Sequence, residues 1–236
     1  MTTHRSLHPS FGPGRPSLIF EPIVTLADGD VRAHEAIVAT EAPVGFGLTR
    51  GGAFEYVLGK VAAHLARQAR GAAVAFNVTL DQLLDERLPG LVGEIAERAG
   101  VEPHAFLFEI DATIAEIEPS AIRSAIERLH EDAWSVTLDR IDSARSPLQT
   151  LAALPVDMVK IDQRTIREAG RDRLETLTAV LTMARRLGIG TISAGISDLP
   201  ELAAAIAHGY DLAQGPIFGE QVPAPRLRGE ATGPAL

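Results

Sequence analysis

Six polar side chains that could take part in chemistry recur near the carboxyl ends of the chain's short apolar segments. They are Glu35, Asn77, Glu109, Asp139, Lys160 and Gln214. If the segments are parallel β-strands, these ends meet at one edge, where α/β barrel enzymes place their active sites. Three carboxylates, two amides and one ammonium would then lie together at one end of the barrel. A small phosphorylated ligand could bind in a pocket there. The alternative is that each is a polar residue beside a loop.

The alternation of apolar and amphipathic segments predicts the elements that position these residues. Strand candidates begin at Ser17, Val31, Ala72, Ala105, Ser135, Asp157, Ile189 and Tyr210. Helical patterns cover 53–70, 80–100, 119–131, 174–187 and 199–208. The turn at 27–30 predicts an initial hairpin, and the strand–helix alternation predicts parallel strands afterwards. Eight strands in about 200 residues favour a closed α/β barrel over an open sheet.

Strand parity separates functional from structural candidates, because successive side chains point to opposite faces. Asn77 shares a face with Ala75, and Glu35 shares a face with Ala33. His34 has the opposite parity to Glu35, so it should face the helices and have a structural role.

Composition excludes several classes of function. The net charge is −9 and no Lys/Arg stripe appears, which argues against a nucleic-acid polymer as partner. The absence of cysteine excludes thiolate metal sites and cysteine nucleophiles. There is no apolar run of membrane-spanning length and no signal-peptide core, so we expect a cytoplasmic location without membrane contact. We expect a flexible arm at 1–17, one barrel domain at 18–225 and a tail at 226–236.

Several strings resemble, in order, the motifs of the EAL-domain family. The most specific are LPVDMVKID at 154–162 and YDLAQGPIFG at 210–219. The family comprises phosphodiesterases that linearise cyclic di-GMP on a TIM-like (β/α)8 barrel whose first strand is antiparallel. The resemblance therefore implies that fold for residues 18–225.

The resemblance also implies roles for the polar residues. Glu35 matches the glutamate of the Glu-Ala-Leu signature, with Ile37 in place of leucine. Lys160 matches a lysine that orients water or a phosphate oxygen, Asp162 follows it, and Gln214 ends the last strand. Mg²⁺ or Mn²⁺, which prefer oxygen ligands, would be held in a first metal site. Its implied ligands are Glu35, Asn77, Glu109 and Asp139.

The sequence departs from the family pattern at residues that catalysis and ligand binding require. Arg140 stands where the family has a second metal-bridging aspartate. Ser193–Ser197 replaces Ala-Glu-Gly-Val-Glu, so both glutamates are lost, including the proposed general base. Ala39 replaces a phosphate-gripping arginine, and Ala112 replaces a glutamate that braces a neighbouring loop. Glu21 stands in place of a glutamine and adds negative charge near an anionic ligand.

These losses predict a degenerate site with little or no catalysis. Loss of a general base costs about 10²–10⁴ in rate, and loss of a catalytic metal removes further charge stabilisation. Lys160 and Asp162 would then be vestigial, and one Mg²⁺ or Mn²⁺ at most would bind. Arg140 either occupies the second metal volume or points outward. Alternatively, Lys160 and Arg140 neutralise the carboxylates and no metal binds.

Three functions remain open at this point. The favoured one is a protein-interaction module in cyclic di-GMP-related signalling, with or without nucleotide sensing, whose protein partner is unidentified and which could form a homodimer. The second is a receptor that binds cyclic di-GMP through Lys160, Gln214 and Arg140 without cleaving it. The third is a slow phosphodiesterase with one metal and Asp162 or Asp142 as substitute base.

Overall fold

A computed structural model of the chain describes residues 18–38, 52–68, 71–141, 145–162, 171–219 and 221–224. The expected arm at 1–17 and tail at 226–236 lie outside the described residues, as do Ala39 and Asp142. The strands are β1 Leu18–Thr25, β2 Val31–Val38, β3 Ala73–Asn77, β4 Phe106–Asp111, β5 Val136–Asp139, β6 Met158–Asp162, β7 Gly190–Ala194, β8 Leu212–Gln214 and β9 Val222–Pro223. The helices are α1 Ala53–Leu65, α2 Leu80–Leu84, α3 Leu88–Ala99, α4 Ala112–Ala115, α5 Pro119–Glu131, α6 Pro147–Ala153, α7 Arg171–Leu187 and α8 Leu199–His208.

Eight of the strands close into a barrel. Strands β2 to β8 pair in chain order and run parallel. Strand β1 lies antiparallel between β2 and β8 and closes the sheet, while β9 adds a short antiparallel pairing to β1. The predicted hairpin and the predicted TIM-like α/β barrel with an antiparallel first strand are both confirmed.

The helices follow the predicted pattern with three differences. The segment predicted as one helix at 80–100 forms two, because α2 is followed by Asp85 in extended backbone, and the carboxylate of Asp85 accepts a hydrogen bond from the backbone N–H of Arg87. Helices α4 and α6 were missed, since four and seven residues are too short to show a helical period. No helix in the described part of the chain is long and apolar enough to cross a bilayer.

Two apolar cores hold the barrel together. The larger core lies between the strands and the helices and buries aromatic side chains completely, Phe20 and Phe106 among them. The smaller core lies inside the barrel and contains Ile23, Ala33, Ala75 and Ile192. Alanine is frequent in the smaller core because little room remains where the strands converge. Both cores follow the predicted strand parity.

A pair of histidines packs against the outer wall of the barrel. His34 faces α1, as its parity predicts, and its ring contacts that of His64 edge-on with centroids 4.9 Å apart. His64 stacks on Phe20 at 3.8 Å, and Nε2 of Gln68 lies 3.3 Å from its Nε2. Burial lowers the pKa of His64 to about 4, and the nearby His34 and Arg67 charges add to the effect.

We expect acid to destabilise the fold through His64. Its pKa is about 4 when folded and 6.5 when unfolded, so the unfolded chain takes up a proton first. Stability is therefore full above pH 6.5 and declines as the pH falls towards 4, by up to about 3 kcal/mol. His64→Phe keeps the aromatic stacking, and urea unfolding should show that its unfolding free energy changes less with pH than that of the wild type. His208→Gln, at an exposed histidine, is the control, and equal slopes for His64→Phe and wild type would contradict the assignment.

Candidate functional site

The predicted polar residues do form one layer inside the barrel, directly above the smaller core. In β2, Glu35 follows Ala33 by two residues and so lies on the same inward face. Asn77 lies opposite Glu109 in the register of β3 and β4. Because β1 is antiparallel, Glu21 reaches the layer from the other chain direction and lies opposite Glu35. We call this set the polar layer; it comprises Glu21, Glu35, Asn77, Glu109, Asp139, Lys160 and Gln214.

The ammonium of Lys160 lies between two carboxylates at the centre of the layer. Its Nζ is 2.6 Å from Oε1 of Glu109 and 3.1 Å from Oε2 of Glu35. The side chain of Lys160 is 4% exposed and that of Glu109 is fully buried. At such depth an unpaired charge would cost several kcal/mol, so the buried ammonium of Lys160 needs a carboxylate partner within the layer.

Both oxygens of Glu35 face nitrogen groups of the layer. Nδ2 of Asn77 donates to Oε1 over 3.3 Å, and Nε2 of Gln214 donates to Oε2 over 2.6 Å. The same Gln214 nitrogen donates to Oε2 of Glu21 over 2.7 Å. Because carboxylates only accept hydrogen bonds, the orientation of the Gln214 amide is fixed. Nε2 of Gln221, which was not singled out from the sequence, donates to the other Glu21 oxygen at 3.4 Å.

Gly215 holds Gln214 in place. Its φ is 148°, and a Cβ there would meet backbone atoms of Ile196 at 2.3 Å, so only glycine fits. The backbone of Ile196 donates to the carbonyl of Gln214 and accepts from the N–H of Ile217. The turn after β8 is thereby fixed against the segment that follows β7.

The buried centre is electrically neutral near pH 7. Burial raises the pKa of Glu109 to about 8, with a further increase from the charges of Glu35 and Asp139. Burial alone would raise the pKa of Glu35, but the charge of Lys160 lowers it below its ordinary value. Burial alone would lower the pKa of Lys160, but Glu109 and Glu35 raise it. One carboxylate and one ammonium therefore accompany one protonated carboxyl group.

A cavity of about 480 Å³ opens above the polar layer. Its polar lining residues are Glu21, Glu35, Asp139, Arg140, Lys160, Asp162, Ser197, Gln214 and Gln221. Glu109 lies beneath this surface and is fully buried, and Asn77 is exposed but does not line the cavity. We call this space the mouth cavity.

Arg140 lines the mouth cavity, but its guanidinium forms an ion pair with the carboxylate of Asp111 at the end of β4. That Arg140 occupies a second metal volume or points outward stays a prediction. Its backbone has φ 52°, which costs a non-glycine residue about 1 kcal/mol. The Arg140 N–H donates to Oδ1 of Asp139 over 2.9 Å.

Asp111 was missed by the sequence interpretation. It shares the strand parity of Glu109, and its Oδ1 accepts hydrogen bonds from the N–H and hydroxyl of Thr113 at the start of α4. An aspartate that ends a strand and caps the next helix was a usable signal. The ion pair between Asp111 and Arg140 could not be predicted from the sequence, because it joins side chains at the ends of two different strands.

The described residues, as they are arranged, do not fit a divalent metal. No group of three Asp, Glu or His side chains in the described ranges is placed to hold one. Lys160 lies between Glu35 and Glu109, and the oxygens of Glu35 already accept N–H groups. The assignment of Glu35, Asn77, Glu109 and Asp139 as ligands of one metal stays a prediction.

Glu109→Gln should remove a dependence of stability on alkaline pH. The pKa of Glu109 is 4.5 in the unfolded chain and about 8 in the fold, so the folded state holds the extra proton. Its stabilising effect is complete below pH 4.5 and is lost as the pH rises through 8. Between pH 6.5 and 8 the wild type should lose about 1–2 kcal/mol of unfolding free energy.

The comparison for Glu109→Gln is Glu97→Gln, the same chemical change on the exposed face of α3. Urea unfolding across this pH range should show that the unfolding free energy of Glu97→Gln falls with pH as in the wild type. The unfolding free energy of Glu109→Gln should stay constant. A Glu109→Gln variant with the wild-type slope would rule out a protonated Glu109.

Comparisons with known proteins agree with the fold and the motifs. NbdA, a cyclic di-GMP phosphodiesterase from Pseudomonas aeruginosa, is 29% identical over 100 residues, which are 42% of this chain and 13% of NbdA. This chain therefore corresponds to a small part of that relative.

Solved structures match over most of the chain. The phosphodiesterase PaMucR, in complex with cyclic di-GMP, superimposes with a TM-score of 0.76 at 20% identity and covers 89% of this chain and 93% of its own. BlrP1 from Klebsiella pneumoniae, in complex with calcium and cyclic di-GMP, has a TM-score of 0.75 at 19% identity. The match covers 92% of this chain and 58% of the BlrP1 chain. At these identities the matches establish the fold.

The profile of the EAL domain matches residues 5–221. This range includes all eight residues singled out from the sequence as catalytic, metal or ligand candidates. Because the match spans nearly the whole chain, this protein belongs to the EAL domain family.

Proposed function

We propose that this chain is a non-hydrolysing EAL domain that acts in cyclic di-GMP signalling by binding, either as a protein-interaction module or as a nucleotide sensor. The observation that carries the proposal is the content of the mouth cavity where catalysis would take place. Arg140 follows Asp139, and Ala194, Gly195 and Ser197 line the cavity after β7. None of these four positions supplies an acidic oxygen.

Hydrolysis of a phosphodiester by two metals needs cations about 3.5–4 Å apart, which several carboxylates must bridge. Asp139 is followed by a cation, and Arg140 brings its charge to the rim of the cavity instead of a ligand. Ser197 donates both its N–H and its hydroxyl to Oε2 of Glu201, at 2.6 and 2.9 Å. A serine held in this way is a poor substitute for a carboxylate base.

The polar layer also supports a domain that needs no metal. In a neutral centre a divalent ion would have to displace the ammonium of Lys160 and the proton of Glu109. Both changes cost free energy, because they remove charge compensation in a buried place. We therefore propose that Lys160 supplies the positive charge of this layer and that Mg²⁺ or Mn²⁺ is not required.

The second candidate is a receptor for cyclic di-GMP, and the lining of the mouth cavity favours it. Lys160, Gln214 and Arg140 all line this cavity, so cationic and amide groups face the same space. The solved relatives PaMucR and BlrP1 carry cyclic di-GMP. Against high affinity, Glu21, Glu35, Asp139 and Asp162 bring negative charge to the same cavity.

The partner and the location are part of the proposal. We expect a protein partner that is still to be identified, a homodimer as one form of assembly, and a cytoplasmic setting. The absence of cysteine is compatible with a reducing compartment, and the net charge of −9 argues against a nucleic-acid polymer.

Purified protein with Mg²⁺ or Mn²⁺ should leave cyclic di-GMP intact, because Arg140, Ala194, Gly195 and Ser197 supply no carboxylate for a second metal or a general base. Chromatography for the linear dinucleotide measures this, with the phosphodiesterase PaMucR as the active reference in the same buffer. Linear product formed by the wild type and absent with Glu35→Ala would show slow metal-dependent hydrolysis and overturn the proposal.

Added Mn²⁺ should not raise the melting temperature, because Lys160 already compensates the charge of Glu35 and Glu109 holds a proton. Thermal unfolding with Mn²⁺ and with EDTA tests this, and Glu97→Gln serves as a charge-matched control. A rise in melting temperature that Glu35→Gln abolishes and Glu97→Gln retains would establish a metal at the polar layer.

A further inference from the structure

We propose that Asp111 and a phosphate of bound nucleotide compete for the guanidinium of Arg140. In this view Arg140 is the anion-binding residue at the rim of the mouth cavity, and Asp111 limits its availability. The inference rests on the proposed binding function and concerns affinity for the nucleotide, not hydrolysis.

The placement of Arg140 supplies the first argument. It lines the same cavity as Lys160 and Gln214, whereas Asp111 does not line it. The side chain of Arg140 is 59% exposed, so a ligand in the cavity can reach it, and the side chain of its partner Asp111 is 12% exposed. The ion pair therefore draws a cation from the rim of the cavity towards the start of α4.

The geometry of Asp111 supplies the second argument. Its Oδ1 already accepts from the N–H of Thr113 at 2.8 Å and from the hydroxyl at 2.6 Å, so Oδ2 is the atom that pairs with Arg140. The helix cap holds the carboxylate in position whether or not the guanidinium is bound. The arginine is thus the partner that can move, and its long side chain has the freedom to do so.

The strength of the pair makes such competition feasible. Ion pairs with one well-exposed member contribute little, because water screens them. A phosphodiester offers a planar guanidinium two acceptor oxygens and a charge-assisted, bidentate contact. A phosphate can therefore displace Asp111, and the cost of displacement lowers the apparent affinity.

The test is calorimetric titration with cyclic di-GMP in EDTA, where metal-dependent cleavage cannot occur. Asp111→Asn keeps a side-chain oxygen for the helix cap but removes the competing charge, so it should tighten binding by about two- to fivefold. Arg140→Gln should weaken binding relative to wild type. The double variant should bind like Arg140→Gln, because Asp111 acts only through Arg140.

Asp81→Asn is the matched control, since it removes one negative charge from the exposed first turn of α2 at the same end of the barrel. It should change affinity much less than Asp111→Asn. The inference is overturned if Asp111→Asn binds no tighter than Asp81→Asn, if the double variant keeps the gain, or if no variant binds. Chromatography of the recovered nucleotide and the melting temperature of each variant separate these outcomes from cleavage and from misfolding.

Discussion

The structure depends on one buried ion pair system, in which the Lys160 ammonium lies 2.6 Å from Glu109 and 3.1 Å from Glu35. A barrel interior has a low effective dielectric, so carboxylates there need a cation or a proton. Lys160 supplies the cation and Glu109 holds a proton. Asn77 and Gln214 then donate hydrogen bonds to the two oxygens of Glu35.

The fold places these groups through strand register. Apolar residues fill the level below, and the next inward residue after Ile23, Ala33 and Ala75 on their strands is polar. The antiparallel β1 matters here, because it brings Glu21 opposite Glu35 and allows Gln214 of β8 to bridge both. The steric requirement for glycine at 215 then fixes the end of β8 against Ile196. The site is therefore a consequence of barrel closure.

Much of this arrangement could be predicted from the sequence. The period-2 pattern predicted which residues of each strand face inward, and the strand–helix alternation predicted the barrel. Glu35, Lys160 and Gln214 were therefore expected to lie close together. Periodicity could not reveal α4, because four residues do not complete a pattern. It also could not give the direction of Arg140, which depends on a left-handed backbone at φ 52° and on a side-chain partner from another strand.

The balance of charge at the mouth cavity decides which ligands it can hold. A metal site needs surplus negative charge at its ligands, whereas an anion site needs accessible positive charge. Here Lys160 and the proton on Glu109 balance the charges of Glu35 and Glu109, the rim carries the exposed side chain of Arg140, and the cavity lining keeps several carboxylates. Such a cavity can discriminate between ligands by small changes at its rim without any change to its core.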